Sequence, residues 1–563
     1  MERKPIPVGY EDFKEIIDKD LYYVDKTLMI KELLDSGGKS TLITRPRRFG
    51  KTLNLSTIRR FFEDERTEEG EAVDNGYLFD GLAISGCGEK YLAYQGKYPV
   101  ISLSLKSGKQ SSFDMAYDSL VNEIAKEFKR HRYILGKGCI LPEEQERFRM
   151  IMGQNGTKAE YGRALAFLSE CLAKYHKTGV IILIDEYDVP LETAYFEGFY
   201  DQMIGFIRSL FESALKTNPA LERGVITGCL RISRESIFTG LNNLQIHSII
   251  SPHYSSRFGF TEDDIKRMLA YYDLMEKYQE LKEWYDGYLF GGTEIYNPWS
   301  IINYVDMARA DASTFPRPYW INTSSNSIIK ELVEEAGDET RRELETLIAG
   351  GTIEKPIHEE ITYGDIHINA DNLWNFLFFT GYLRAAGQRQ EDVTVYQRMM
   401  IPNKEVKAVY KDSITTWFDR RIKEMDREPL IRALEEGDCE AAGDFITRQL
   451  EDTISYFDYA ENYYHGFLTG LLTGIKGYQV LSNRESGTGR PDLILKSTRI
   501  RNGMAMILEL KSADLATAME ERCREGIRQI EERDYEAELK KEGYPEIKKY
   551  GVCFFRKECL VRR

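Results

Sequence analysis

The chain has 563 residues, more than one hydrophobic core accommodates, so two or more domains are expected. A composition of 42% hydrophobic, 12% aromatic and 30% charged residues with 16 Pro excludes the disordered and collagenous classes. The 76 Lys and Arg against 91 Asp and Glu give a net charge of −15, which disfavours a chain held to nucleic acid or membrane by bulk charge, so any polyanion site must be local.

The eight Cys and seven His are scattered without zinc or CxxC spacing. Residues 1–10 lack an apolar leader core, and no run reaches the roughly 18 apolar residues of a membrane span. A soluble cytoplasmic protein with reduced thiols and no membrane partner is expected.

Along the chain, Leu28 to Leu34 reads as a helix stopped by Asp35-Ser36-Gly37-Gly38, and Ser40 to Thr44 as a buried strand. The strand enters Arg45-Pro46-Arg47-Arg48-Phe49-Gly50-Lys51-Thr52, and a helical pattern with Leu53, Ile58 and Phe61 follows. Gly-Lys-Thr at a helix start can wrap backbone N–H groups around phosphates, with Lys51 on the outer phosphates and the Thr52 hydroxyl on Mg²⁺. Arg45 stands where the first glycine of the usual pattern would be, and a bare Gly-Lys-Thr is equally an exposed basic turn. Val100 to Leu105 reads as a further sheet strand, flanked by polar and helical insertions at 63–97 and 113–153.

The apolar run Gly179 to Ile184 has the character of a strand buried on both faces, and it ends in Asp185-Glu186-Tyr187-Asp188. Acids at that strand end sit where open α/β sheets bind ligands, with Asp185 placed for the Mg²⁺ shell and Glu186 for polarising water. A third run, Gly224 to Gly228, puts Thr227 where a γ-phosphate can be sensed. Arg231 or Arg234 is available to neutralise transition-state charge, each being as readily a surface arginine.

Thr261-Glu262-Asp263-Asp264 opens the amphipathic segments Ile265 to Tyr272 and Tyr278 to Tyr285. Trp284 to Tyr288, Tyr296 to Trp299 and Trp374 to Leu383 read as aromatic core. The charged stretch Lys423 to Gln449 reads as a connecting element, with the last boundary near Thr453.

The final segment begins with a helix bearing Glu461 and His465, the latter read as structural, then a strand from Gly477 to Ser482. Pro491-Asp492 precedes one apolar run, and an Asn502-Gly503 turn leads to Met504 to Lys511, a hairpin signal. Alternation puts Glu509 and Lys511 on one strand face, and pairing across the hairpin brings Asp492 beside them. Acids and a lysine at the ends of apolar strands cost desolvation unless paired or bound to metal. Mg²⁺ between Asp492 and Glu509, with Lys511 stabilising hydroxide or a charged phosphorane, accounts for the pattern. Residues 461–563 hold 19 Lys and Arg against 16 Asp and Glu, so the positive excess sits at this end. Arg484, Arg490, Arg499, Arg501, Arg522, Arg524 and Arg528 form either a phosphate-tracking surface or a solvated basic face.

The strings TRPRRFGKT, IDEYD, TGCLRISRESIFTGLNN and YNPWSI together resemble the bacterial and archaeal AAA-ATPase-like family often fused to a PD-(D/E)XK nuclease domain, and ENYYHGFL, SNRESGTGR, PD and ELK resemble that nuclease domain. The resemblance implies ATP as ligand, with Lys51, Thr52, Asp185 and Glu186 at the motif positions and the arginine-rich loop as the family's ordinary form. It also implies a winged-helix-like middle region, Glu461 in the nuclease metal site and Gln529 supporting it. The expected fold is α/β throughout. A P-loop NTPase parallel-sheet core spans 1–262, a helical or winged-helix-like region 263–400, a helical connector 401–455 and a restriction-endonuclease-like domain 456–563. The expected function is ATP hydrolysis coupled to Mg²⁺-dependent cleavage of nucleic acid, DNA in the first instance, in a chain that admits a homo-oligomer. The alternative is an ATP-switched sensor whose last domain binds nucleic acid or a partner without cutting.

Overall fold

The computed structural model describes residues 3–231, 237, 243–320, 329, 337–359, 370–451, 461–482, 491–501 and 503–563. The chain divides into two compact units, Met1–Ser325 with Gly350–Val409, and Asn326–Ala349 with Tyr410–Arg563.

The first unit is built on a five-stranded sheet of β1 (Ser40–Thr44), β2 (Val100–Ser104), β3 (Val180–Asp185), β4 (Leu221–Gly228) and β5 (Leu244–His247). The order is β2-β3-β4-β1-β5, and every pairing is parallel. Parallel strands covered on both faces need apolar residues at successive positions, and β1 and β3 are buried at every residue. The helix Lys51–Phe62 leaves β1 through the arginine-rich loop and lays Leu55, Ile58 and Phe61 against Ile43, Ile181, Leu183 and Val225. That crossover fixes the loop at the carboxyl edge of the sheet.

Helices Glu262–Tyr272 and Pro298–Ala310 follow, each started by a side-chain cap. The Thr261 hydroxyl accepts from the Asp264 N–H at 3.3 Å, and Asn297 Oδ1 accepts from the Trp299 N–H at 2.9 Å. An antiparallel ribbon of β6 (Tyr288–Phe290) and β7 (Thr293–Ile295) lies between them in sequence. Beyond these come the helix Ala370–Phe379 and a small antiparallel sheet, β8 (Ile353–Pro356), β9 (Arg384–Glu391) and β10 (Thr394–Met400), in the order β8-β10-β9.

The second unit holds a mixed sheet of β11 (Tyr478–Ser482), β12 (Leu493–Ser497), β13 (Met504–Ser512), β14 (Glu546–Phe555) and β15 (Glu558–Arg562), paired in sequence order. Only β13 and β14 run parallel; the other three pairings are antiparallel. Alternation along β13 sends Met506, Leu508 and Leu510 into one core and Ala505 and Ile507 into another beneath Ile530 of the helix Met519–Glu532.

The first of these cores differs from the sequence expectation of a connector at 401–455. Leu430 and Leu434 of the helix Glu428–Glu436, and Phe445, Ile446 and Leu450 of the helix Cys439–Glu451, are buried with Leu493, Leu508 and Val552 of the sheet. Their charged residues occupy the outer face, which makes the segment read as solvated although its inner stripe is apolar. Among the described residues no helix is long and apolar enough to cross a membrane.

Candidate active sites

β3 and β4 are neighbours with Ile184 opposite Ile226, so Asp185 and Thr227 emerge together at the carboxyl edge. The Asp185 carboxylate accepts from the hydroxyls of Thr52, at 2.7 Å, and Thr227, and from the Glu186 N–H at 3.0 Å. One buried carboxylate therefore ties the start of the phosphate-loop helix to two strands. Lys51 is buried and donates to the carbonyls of Arg45 and Pro46, both at 2.9 Å, with Cys229 Sγ at 3.5 Å. Arg48 and Gly50 take left-handed backbone conformations, with φ of 70° and 79°, as does Glu186 with φ of 51°. Such backbone away from glycine is uncommon and concentrates at functional turns. Burial, and then the neighbouring Asp185, push the Glu186 carboxyl above the usual carboxylate range.

A cavity of about 320 Å³ opens over this edge and is lined by Arg47, Arg48, Phe49, Gly50, Lys51, Thr52 and Glu186. Tyr10, Tyr22, Phe260 and Trp299 line its apolar part. The Arg48 guanidinium lies 4.5 Å from the Trp299 ring centroid, Arg47 pairs with Glu192, and Phe49 is locked between Tyr288 and Phe290 at 4.9 and 5.1 Å.

Arg45 points elsewhere. Its fully buried guanidinium donates to the carbonyls of Thr44, His247 and His253 at 2.7, 2.9 and 3.2 Å, and burial pulls its pKa down to about 9. It braces the loop from behind, and Pro46 lies against Gly381, where an added Cβ would stand 2.9 Å from the proline ring. Arg231 lies outside the cavity lining, 4.0 Å from Glu359, and Arg234 falls outside the described residues.

Two roles in the acidic strand end have no signal in the sequence. Asp188 accepts from the N–H groups of Cys229 and Leu230 at 2.7 and 3.0 Å, and the Tyr187 hydroxyl donates to the Leu230 carbonyl at 2.6 Å. Gly228 permits this closeness, since a Cβ there would meet the Tyr187 ring at 2.5 Å. Lys106 and Lys109 also line the cavity. Their position one turn beyond β2 is the signal that finds them, because ligands gather at the carboxyl ends of parallel strands.

In the second unit, Leu493 pairs with Leu508, which sets Asp492 one step further on beside Glu509. Asp492 Oδ2 accepts from the Leu510 N–H at 2.8 Å. Lys511 Nζ donates to Glu509 Oε1 at 3.3 Å and to Gln529 Oε1 at 2.9 Å, while the Gln529 amide donates to Glu509. The helix Met519–Glu532 thus delivers Gln529 to the face shared by Glu509 and Lys511. His465 Nε2 is 3.1 Å from the Asp492 carbonyl and 3.2 Å from Ser482 Oγ. The helix Glu461–Leu472 begins at Glu461, whose side chain lies outside the described part, as do Arg484, Arg490 and Asn502. Arg522, Arg524 and Arg528 pair with Glu525, Glu520 and Glu521 of their own helix, so that face carries both signs.

Among the described residues no three His, Cys, Asp or Glu side chains gather as a metal cluster. The pair at hand nevertheless fits a hard divalent cation. Glu509 Oε2 is buried without a hydrogen-bond partner among the described residues, and burial followed by repulsion from Asp492 pushes the Glu509 carboxyl up to about 7. Two carboxylates forced together with an orphaned oxygen are what a cation relieves.

A parallel sheet with Gly-Lys-Thr and an acidic strand end at its carboxyl edge defines a P-loop nucleotide-binding core, and the mixed sheet with Asp492, Glu509 and Lys511 defines a restriction-endonuclease-like domain. Residues 7–238 match the family described as predicted AAA-ATPase, and residues 459–563 match the PD-(D/E)XK nuclease superfamily. The chain therefore joins an AAA-ATPase-like domain to a PD-(D/E)XK nuclease superfamily domain. It is also similar over 419 residues, at 26% identity, to an uncharacterized protein in the vnfD 5' region of Azotobacter chroococcum mcd 1, covering 74% of this chain and 70% of that one.

Proposed function

We propose that the first unit binds and hydrolyses ATP, and that the second cleaves nucleic acid, DNA in the first instance, with ATP turnover controlling cleavage. The observation that supports it is that Lys51, Thr52, Asp185 and Glu186 converge at one sheet edge and Asp492, Glu509, Lys511 and Gln529 at another in the same chain. In this reading the helices at 428–451 serve the nuclease core and not a connector. A cytoplasmic location accompanies this reading.

At the first site Lys51 exchanges loop carbonyls for phosphate oxygens, and Glu186 holds and deprotonates the attacking water. Thr227, expected to sense the outermost phosphate, is instead fully buried outside the cavity lining with its hydroxyl on Asp185, so it positions that carboxylate. Arg45 keeps the loop in shape without touching nucleotide. Thr52 and Asp185 are the residues that would hold Mg²⁺ there; Asp492 and Glu509, joined by Glu461, would hold it in the second unit. Bound Mg²⁺ supplies Lewis-acid charge stabilisation at phosphoryl oxygens. Lys511, oriented by Gln529, faces the scissile phosphate and stabilises the charge built up during attack.

The test is a cleavage assay on mixed DNA and RNA with full-length protein, with and without ATP, beside Mg²⁺ or Mn²⁺ calorimetry. Asp492→Ala is expected to lose metal binding and cleavage. Lys511→Ala is expected to keep the metal and lose rate, because a transition-state contact is not a ground-state ligand. Wild-type protein that binds metal and nucleic acid yet cuts neither substrate would establish the sensor alternative instead.

A further inference from the structure

Phosphoryl transfer spreads negative charge over the bridging oxygen and the three equatorial oxygens, and P-loop enzymes meet it with a cation beyond the loop lysine. The turn after β2 offers two. β2 pairs with β3 so that Ser104 lies opposite Asp185, and the Leu105 N–H donates to the Asp185 carbonyl at 3.0 Å. The chain therefore leaves β2 at the edge where Asp185 and Glu186 stand. Gly108 in this turn is buried, and a Cβ there would lie 2.9 Å from the Pro190 Cβ and 3.3 Å from Leu120 Cδ2. Pro190 belongs to the helix Val189–Phe196 that begins three residues after Glu186, so the turn is seated against the segment carrying the water-activating acid. Lys106 and Lys109 flank Gly108, are exposed, and line the same cavity as Lys51 and Glu186.

Lys106 is not explained as a brace. It lies 3.4 Å from Glu11 with both side chains more than half exposed, a pairing worth little in water.

We propose that Lys106 and Lys109 are the cations that neutralise the transferring phosphoryl group during ATP hydrolysis, supplied in cis by the chain that binds the nucleotide. The proposal rests on the ATPase reading above. A bond forms between the water oxygen and the γ-phosphorus while the bond from that phosphorus to the β–γ bridging oxygen breaks. The electron pair stays on the bridging oxygen, which leaves with ADP. One water proton passes to Glu186 and on to solvent; the other stays on the phosphate. The ammonium groups of Lys106 and Lys109 offset the charge that grows on the bridging and equatorial oxygens.

The test uses the full-length chain, with turnover measured beside calorimetric binding of ADP and of ADP with aluminium fluoride. The Lys106→Ala, Lys109→Ala double variant is expected to lose about 10²-fold or more in kcat and to bind the fluoride complex correspondingly more weakly, while ADP affinity stays within about threefold. Lys106→Arg with Lys109→Arg should restore most of the rate, and turnover per wild-type chain should not change on dilution. An active wild type and dead Lys51→Ala protein beside an unimpaired double-alanine variant would sink this proposal alone. So would equal loss of ADP and fluoride-complex binding, or recovery of the double variant on mixing with Lys51→Ala chains, which would place the cation in trans. A wild-type chain that never turns over ATP removes the ATPase reading and this proposal with it.

Discussion

Lys51 and Glu186 do separable work, and the structure sets the terms of the separation. Lys51 is held by two loop carbonyls and Cys229 Sγ and sits under the cavity, so Lys51→Ala should lower ATP affinity and reduce turnover by about 10²-fold or more while the fold survives, checked by nucleotide calorimetry and phosphate release. Glu186 keeps its backbone N–H on Asp185, a contact that the amide of Glu186→Gln leaves intact. That variant should bind ATP as wild type does and stop turning over, and loss of binding would make Glu186 a structural residue. The strand-end acids were legible in the sequence because an apolar run ending in Asp-Glu is a positional signal. The direction of Arg45 was not. Its partners are carbonyls of Thr44, His247 and His253, and a backbone oxygen two hundred residues away leaves no trace in residue type.

At the level of elements, the helix Lys404–Glu424 carries Glu405 in its first turn, fully buried and accepting from both the Ser300 hydroxyl and the Trp320 N–H, the latter at 2.8 Å. Burial, opposed by those hydrogen bonds, raises this carboxyl to about 7. A carboxyl whose folded pKa is above its unfolded one binds more protons when folded, so its stabilising contribution is complete below about pH 4.5 and is lost as pH rises through about 7. Glu405→Gln, which mimics the protonated form, should therefore flatten the fall in stability between these limits by about 2–3 kcal/mol, read by comparing denaturant unfolding of variant and wild type at pH 5 and pH 8. A second expectation concerns the helices Glu428–Glu436 and Cys439–Glu451. Each buried Leu, Ile or Phe they supply to the nuclease core contributes about 1.5–3 kcal/mol, so residues 426–563 should fold alone while 456–563 should not, as circular dichroism and amide exchange would show. β3 was readable as an unbroken apolar run, and β1 and the Gly224–Gly228 part of β4 as short buried strands set off by glycines and turns. β5, with the sequence Leu-Gln-Ile-His, and β9, with largely exposed polar residues, were not, because neither has a period that single-chain hydrophobicity reveals.

For the whole molecule, the two chemistries sit on two cores with no shared residue, so they can be silenced one at a time. Asp492→Ala should abolish cleavage and leave ATP turnover at the wild-type rate; Glu186→Gln, holding ATP, should lock cleavage in whichever state the bound nucleotide imposes, and a cleavage rate indifferent to both ATP and Glu186→Gln would mean the two halves merely share a polypeptide. The contact of Arg48 with Trp299 gives the experimenter an optical handle on this coupling. An indole with a cation on its face emits differently from a bare one, and polyphosphate entering the cavity competes for that guanidinium. Of the tryptophans whose side chains are described, Trp299 is the one that lines the cavity, so the colour and intensity of the unlabelled protein's own fluorescence should follow nucleotide arrival and departure in real time, and Trp299→Phe should leave the remaining emission blind to it.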